Sequence, residues 1–251
     1  MSGHSKWASI KHKKAVVDSR RGKLFTKLAR AVTVAAKEGG GDIEGNPSLA
    51  LAVQKARDAS MPKDNIERAI AKGTGAGADA AALETILYEG YGPGGVALLI
   101  EAVTDNRNRT GADVRHLLAK GNGSLGEPGS VAYNFDKKGV VVVDGDRYGE
   151  DDLMVAIDAG AEDISREDDA WEIITEPSDL TAVRRALEDA EVEIQNAEVT
   201  QRPKVLVPVD EDTAAKLLRL IDALEDNDDV DAVHANFDVD ADVLERLMAA
   251  S

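Results

Sequence analysis

Residues 131–199 read VAYNFDKKGVVVVDGDRYGEDDLMVAIDAGAEDISREDDAWEIITEPSDLTAVRRALEDAEVEIQNAEV. Short β-branched or aromatic runs in it are separated by amphipathic stretches. The pattern predicts strands at Val131–Phe135 and Gly139–Val143, a helix at Glu150–Ala159, a strand at Ala170–Thr175, a helix at Asp179–Ala190 and a strand at Glu193–Val199. That is β-β-α-β-α-β in one piece. Upstream, strands Thr85–Tyr91 and Val96–Val103 flank the turn Gly92-Pro93-Gly94-Gly95, and a helix Thr110–Lys120 follows. Downstream come a strand Lys204–Val209, a helix Glu211–Leu224 and a strand Asp231–Asp238. The two flanks together repeat the same order, split in two. The expected class is α+β, with two ferredoxin-like-type domains, one inserted in the other. The split domain is expected at 77–130 and 203–251, the inserted one at 131–202, with the terminal helix Ala241–Ala249 packing back on the split domain.

Ahead of these domains the pattern is helical. Leu24, Phe25, Leu28, Ala31, Val32 and Ala35 fall on one face at 3.6-residue spacing, and Lys23, Lys27, Arg30 and Lys37 form a basic stripe beside it. Gly39-Gly40-Gly41 ends this helix. Asn46-Pro47 starts a second as N-cap and first-turn proline, and Ser60-Met61-Pro62 separates it from a third that runs to Lys72. A three-helix domain at 23–76 follows, joined by the Gly/Ala-rich linker 73–82. Residues 1–22 lack either periodicity and read as a basic flexible arm.

The chain has 251 residues, no cysteine and 43% apolar content. It can bury cores, while disulfides, Cys-ligated zinc and thiol nucleophiles are excluded. No apolar run approaches the ~20 residues of a membrane span, and no hydrophobic stretch follows the basic N-terminus, so a cytoplasmic protein is expected. The net charge is −17, yet residues 1–37 hold ten Lys/Arg and one acidic residue, Asp18. The other 214 residues hold 20 basic and 46 acidic side chains. Asymmetry of this kind marks an interaction arm on a self-repelling body.

Catalytic and cofactor motifs fail for lack of context. Gly90-x-Gly92-x-x-Gly95 matches a dinucleotide fingerprint in letters, but a strand rather than a helix follows it. His4, His12, His116 and His234 make no metal-binding pair, and the acidic run Glu225-Asp226-x-Asp228-Asp229 reads as a solvated helix end. No enzyme activity and no cofactor are expected. The arm reads differently: Trp7 sits among Lys6, Lys11, His12, Lys13 and Lys14, so a ring able to stack on a base is surrounded by cations able to pair with phosphates. Arg20, Arg21, Lys23, Lys27 and Arg30 extend that surface. Thr104 to Thr110 carries Arg107 and Arg109 where a strand leaves the sheet, as a second cluster for phosphate or carboxylate, with Asn108 or Thr110 as a cap. In the third helix Asp64 and Glu67 oppose major-groove reading.

Five motifs carry a family resemblance: Gly3 to Lys14, Met61 to Ile70, Tyr88 to Val96, Thr104 to Thr110, and Gly123 to Gly126 with Gly129 to Val131. Together they resemble the YebC/PmpR family over essentially the whole chain. The resemblance implies an N-terminal helical domain with two α+β domains, and a DNA-binding transcriptional regulator of the cytoplasm. Relatives that include the mitochondrial translational activator of cytochrome oxidase subunit one imply instead an RNA-binding role at the ribosome, helping synthesis through proline-rich stretches. A scaffold whose acidic body binds other proteins is the alternative of another class.

Overall fold

The computed structural model describes residues 21–76, 83–167 and 169–249, which form two compact units. One comprises described residues up to Asn134 together with Val205–Val239; the other comprises Phe135–Lys204 and the C-terminal helix.

The first unit begins with helices α1 (Arg21–Gly39), α2 (Pro47–Asp58) and α3 (Lys63–Ala71), followed by a π-helical turn at Lys72–Ala76. Leu28, Val32, Ala35 and Ala36 of α1 bury against Leu49, Val53 and Ala56 of α2 and Ile66 and Ala69 of α3, as the periodicity predicts. Asn46 is the N-cap of α2: its side-chain oxygen accepts from the Leu49 amide, while its side-chain nitrogen donates to the carbonyls of Ala35 (2.8 Å) and Gly40 (2.9 Å). One buried amide thus satisfies backbone groups at the end of α1 and the start of α2.

The same unit continues with β1 (Glu84–Tyr91), β2 (Ala97–Thr104), α4 (Arg107–Lys120) and the two-residue β3 (Ser124–Leu125). Gly90 to Gly95 is a hairpin corner, as its context predicts: a short 3₁₀ turn in which Gly94 and Gly95 take φ of 74° and 75°, and β1 pairs antiparallel with β2. The cap of α4 is Asn106, which accepts from the Arg109 amide; this corrects the expectation of Asn108 or Thr110.

The second unit contains β4 (Phe135–Asp144), α5 (Glu150–Leu153), α6 (Val155–Asp158), β5 (Ala161–Glu167), β6 (Ala170–Thr175), α7 (Leu180–Asp189) and β7 (Ile194–Pro203). Its sheet has the order β5-β6-β4-β7, with every pair antiparallel. The element order is therefore β-α-β-β-α-β, the ferredoxin-like arrangement. Two corrections produce it. Val131–Phe135 is not a strand, because Ala132–Asn134 is a 3₁₀ turn and pairing begins at Phe135; and Ala161–Glu167 is an edge strand absent from the sequence reading. The helix expected at Glu150–Ala159 is broken at Met154.

The chain then re-enters the first unit through β8 (Val207–Pro208), α8 (Glu211–Glu225), β9 (Val230–Ala235) and β10 (Phe237–Asp238), and ends in α9 (Ala241–Ala249). The first unit's sheet has the order β3-β1-β2-β9, so the two units do not share one strand order. Lys204–Val209 shortens to β8, which pairs parallel with β10 outside that sheet. α9 groups with the second unit, not with the split domain where the sequence placed it. Among the described residues no helix is long and apolar enough to cross a membrane.

Candidate nucleic-acid interface

Lys6, Trp7, Lys11, His12, Lys13, Lys14 and Arg20 lie outside the described residues, and Arg21 is the first residue of α1. Lys23, Lys27 and Arg30 follow at i, i+4 and i+7 on α1, and all three face the segment that ends α8. Lys23 Nζ donates to Asp226 Oδ1 at 2.8 Å, and Lys27 Nζ donates to the Glu225 carbonyl. Arg30 Nη1 donates to the Asp228 carbonyl at 2.8 Å and to Asp229 Oδ1 at 2.7 Å. Helix C-terminal carbonyls lack intrahelical donors and sit at the negative end of the dipole, so lysines are favoured there.

The second candidate cluster converges on the same point. Asp229 is buried, and its Oδ2 accepts from Arg109 Nη2 at 2.7 Å and from the Thr110 hydroxyl at 2.8 Å, with the Thr104 hydroxyl at 3.3 Å. Arg109 also pairs with Asp105 at 2.9 Å. Burial alone would raise the Asp229 carboxyl, but Arg109, Thr110 and Arg30 as donors outweigh it and hold the group below its ordinary value. The acidic run read as a solvated helix end is therefore, at Asp229, a buried anchor joining α1, β2 and α4. Arg107 stands apart on the surface, where it pairs with Glu84 at 2.9 Å.

A second buried carboxylate organises the glycine-rich motifs. Glu89 on β1 accepts from the backbone amides of Gly129 and Val131 at 2.6 Å each and of Ala132 at 2.8 Å. Burial would raise this carboxyl too; the three amides overcome it and the group lies below its ordinary value. Loop 126–132 is also tied to β1 through Gly126 N–H to the Glu89 carbonyl and Tyr91 hydroxyl to the Ser130 carbonyl.

Between α1 and α3 lies an open groove of about 420 Å³. Phe25, Ala29, Ala69 and Leu83 are among its apolar lining residues, and the exposed Arg68 and Lys72 also line it. α1 touches α3 where the Thr33 hydroxyl donates to the Ala69 carbonyl (3.2 Å), and touches the turn after α3 where Gly73 meets Thr33; a Cβ at 73 would lie 2.3 Å from the Thr33 carbonyl oxygen. On the exposed side of α3, Lys63 pairs with Glu67 at 3.5 Å. The sequence reading placed Lys63, Asn65 and Arg68 beside Asp64 and Glu67 on this helix but identified no groove; the signal was Arg68 and Lys72 one turn apart.

N-terminal helices followed by two four-stranded antiparallel sheets place the chain in the α+β class. The family model described as "TACO1/YebC protein N-terminal domain" matches residues 5–76, and that described as "TACO1/YebC second and third domain" matches residues 83–237. The chain belongs to the TACO1/YebC family. A relative from Rubrobacter xylanophilus, named "Probable transcriptional regulatory protein", is 56% identical over 97% of this chain and 98% of its own length. Another from Acidothermus cellulolyticus, of the same name, is 56% identical over 97% of this chain and 99% of its own. The crystal structure of a conserved hypothetical protein from Aquifex aeolicus superposes with a TM-score of 0.80 at 44% identity, covering 89% of this chain and 92% of that one.

Proposed function

We propose that this protein is a non-enzymatic regulator of gene expression that grips nucleic acid with its N-terminal part. Charge carries the reading: residues 1–76 hold fifteen Lys/Arg against seven acidic residues, and the remainder holds fifteen against forty. A polyanion attracts the first part and repels the second, so contact is made through residues 1–76. The contact set begins with Lys6, Trp7, Lys11, His12, Lys13, Lys14, Arg20 and Arg21. Lys23, Lys27, Arg30 and Arg109 join it as second-rank contacts, because each already has an internal acceptor. Arg107 exchanges its partner more easily, since a surface ion pair is worth little in water.

The relatives' name, "Probable transcriptional regulatory protein", supports a role in transcription, for which DNA is the target proposed here. One observation favours the second reading, an RNA-binding translation factor at the ribosome: the exposed side of α3 presents Asp64 and Glu67, which a major-groove helix would place against phosphates. Filter binding of the full chain and of its Lys11→Ala/Lys13→Ala/Lys14→Ala variant to duplex DNA, single-stranded RNA and ribosomal RNA tests the proposal. The variant is expected to lose at least tenfold in affinity. Preference for one promoter over random duplex supports transcription, and co-sedimentation with ribosomes that salt abolishes supports translation. Equal binding by the variant to all three overturns the proposal and leaves the protein-interaction scaffold.

A further inference from the structure

We propose that the outer side of α5 and α6 is a docking site for a protein segment that carries aliphatic anchors among lysines or arginines. The site lies within the second unit and is independent of the nucleic-acid reading. Surplus hydrophobicity is the first observation. Leu153-Met154-Val155-Ala156-Ile157 is a run of five apolar residues. The core of the unit uses two of them, Leu153 and Ala156, both fully buried where α6 packs against α7 and β5. Met154, Val155 and Ile157 remain 49%, 36% and 40% exposed. A helix that covers a core presents polar residues on its far side. The neighbouring α7 follows that rule: Leu180, Val183 and Leu187 are buried, while Thr181, Arg185 and Glu188 are exposed. Single exposed apolar side chains are ordinary surface, whereas three within four residues form a patch of the kind that marks a protein contact.

Charge selects the occupant. Residues 148–165 contain six acidic side chains and no lysine or arginine. Asp152 caps α5 by accepting from the Gly149 amide at 2.9 Å, and Glu162 pairs with Lys138. The side chains of Glu150, Asp151 and Asp158 are exposed and form no hydrogen bond or ion pair among the described residues. They flank the apolar residues in sequence and leave the patch with uncompensated negative charge. Nucleic acid and anionic lipid are repelled by it, and a neutral apolar partner would leave its charge unmet. A basic segment with aliphatic anchors covers the patch and pairs with its carboxylates together.

The probe is a helical peptide of about eighteen residues, about five turns, with leucines on one face and lysines on the other. One control peptide replaces lysine by glutamate, and another replaces leucine by serine. Each is titrated into the full chain, into Met154→Ser/Ile157→Ser and into Asp151→Asn/Asp158→Asn, with the methionine methyl resonances followed by NMR. The expected result is a saturable shift of the Met154 methyl in the full chain, with the buried Met61 methyl unmoved. The serine variant should lose about tenfold or more in affinity, and the asparagine variant a smaller factor that added salt reproduces. All four substituted positions are exposed, so melting temperatures of both variants should stay within a few degrees of the full chain. An unmoved Met154 methyl while the peptide binds, or undiminished affinity for the serine variant or the leucine-free peptide, reduces the attraction to charge alone and overturns the site. Equal binding of the glutamate peptide, or no saturable binding of any peptide, overturns the basic partner. A Met154 shift that follows protein concentration without peptide gives the patch to a second copy of the chain and also overturns the proposal.

Discussion

Glu89 and Asp229 are the buried carboxylates among the described residues. Each is a carboxylate out of water, and each keeps its charge because several donors converge on it. In Glu89→Gln, the amide nitrogen would face backbone N–H groups that need an acceptor. One unsatisfied buried donor costs about 1–3 kcal/mol, so urea unfolding at neutral pH should show a loss of that order. The pH dependence has a definite sign. The folded carboxyls of Glu89 and Asp229 lie below their ordinary values, so their stabilisation is complete above the ordinary carboxylate range and is lost as pH falls through the depressed folded values. Unfolding measured from pH 7 to pH 3 should therefore show an acid limb that is shallower in Glu89→Gln; an unchanged limb would remove Glu89 from that account. Neither residue was legible in the sequence. The loop that meets Glu89 lies forty residues further on, and Asp229 stands in an acidic run that looks the same whether it is solvated or buried.

At the scale of elements, α1 has a dual character. Its apolar face and its caps follow from periodicity and from Asn46-Pro47, and these were readable. Its basic stripe was readable as well, but its partner at the end of α8, some two hundred residues away, was not. Lys23→Ala/Lys27→Ala should accordingly lower the melting temperature by a few degrees while changing nucleic-acid affinity by less than threefold; the reverse pattern would make the stripe a primary contact. Gly73→Ala places a methyl against the Thr33 carbonyl and Ala36, and overpacking there is expected to cost about 1–3 kcal/mol, measured by thermal unfolding. In the second unit, β5 escaped notice because Ala161–Glu167 is an edge strand: edges accept charge, so Glu162, Asp163 and Arg166 interrupt the apolar signal. Val131 gave the opposite error, an apolar residue that is buried ahead of a turn and pairs with no strand.

Over the whole molecule, sequence order gave the expectation of an insertion, while strand order, which depends on pairings between distant segments, came from the structure alone. Charge was the most legible property, because counting needs no fold. It divides the chain into a cationic first part, residues 1–76, and an acidic remainder. The most direct test of that division is the salt dependence of binding to one RNA and one DNA, comparing the full chain with a chain lacking residues 1–22. The full chain should lose roughly 10³–10⁵ in affinity between 50 and 200 mM salt if six to ten phosphates are engaged, and the truncated chain should bind weakly with a much flatter slope. Equal affinity and equal slope for the two chains would contradict the account.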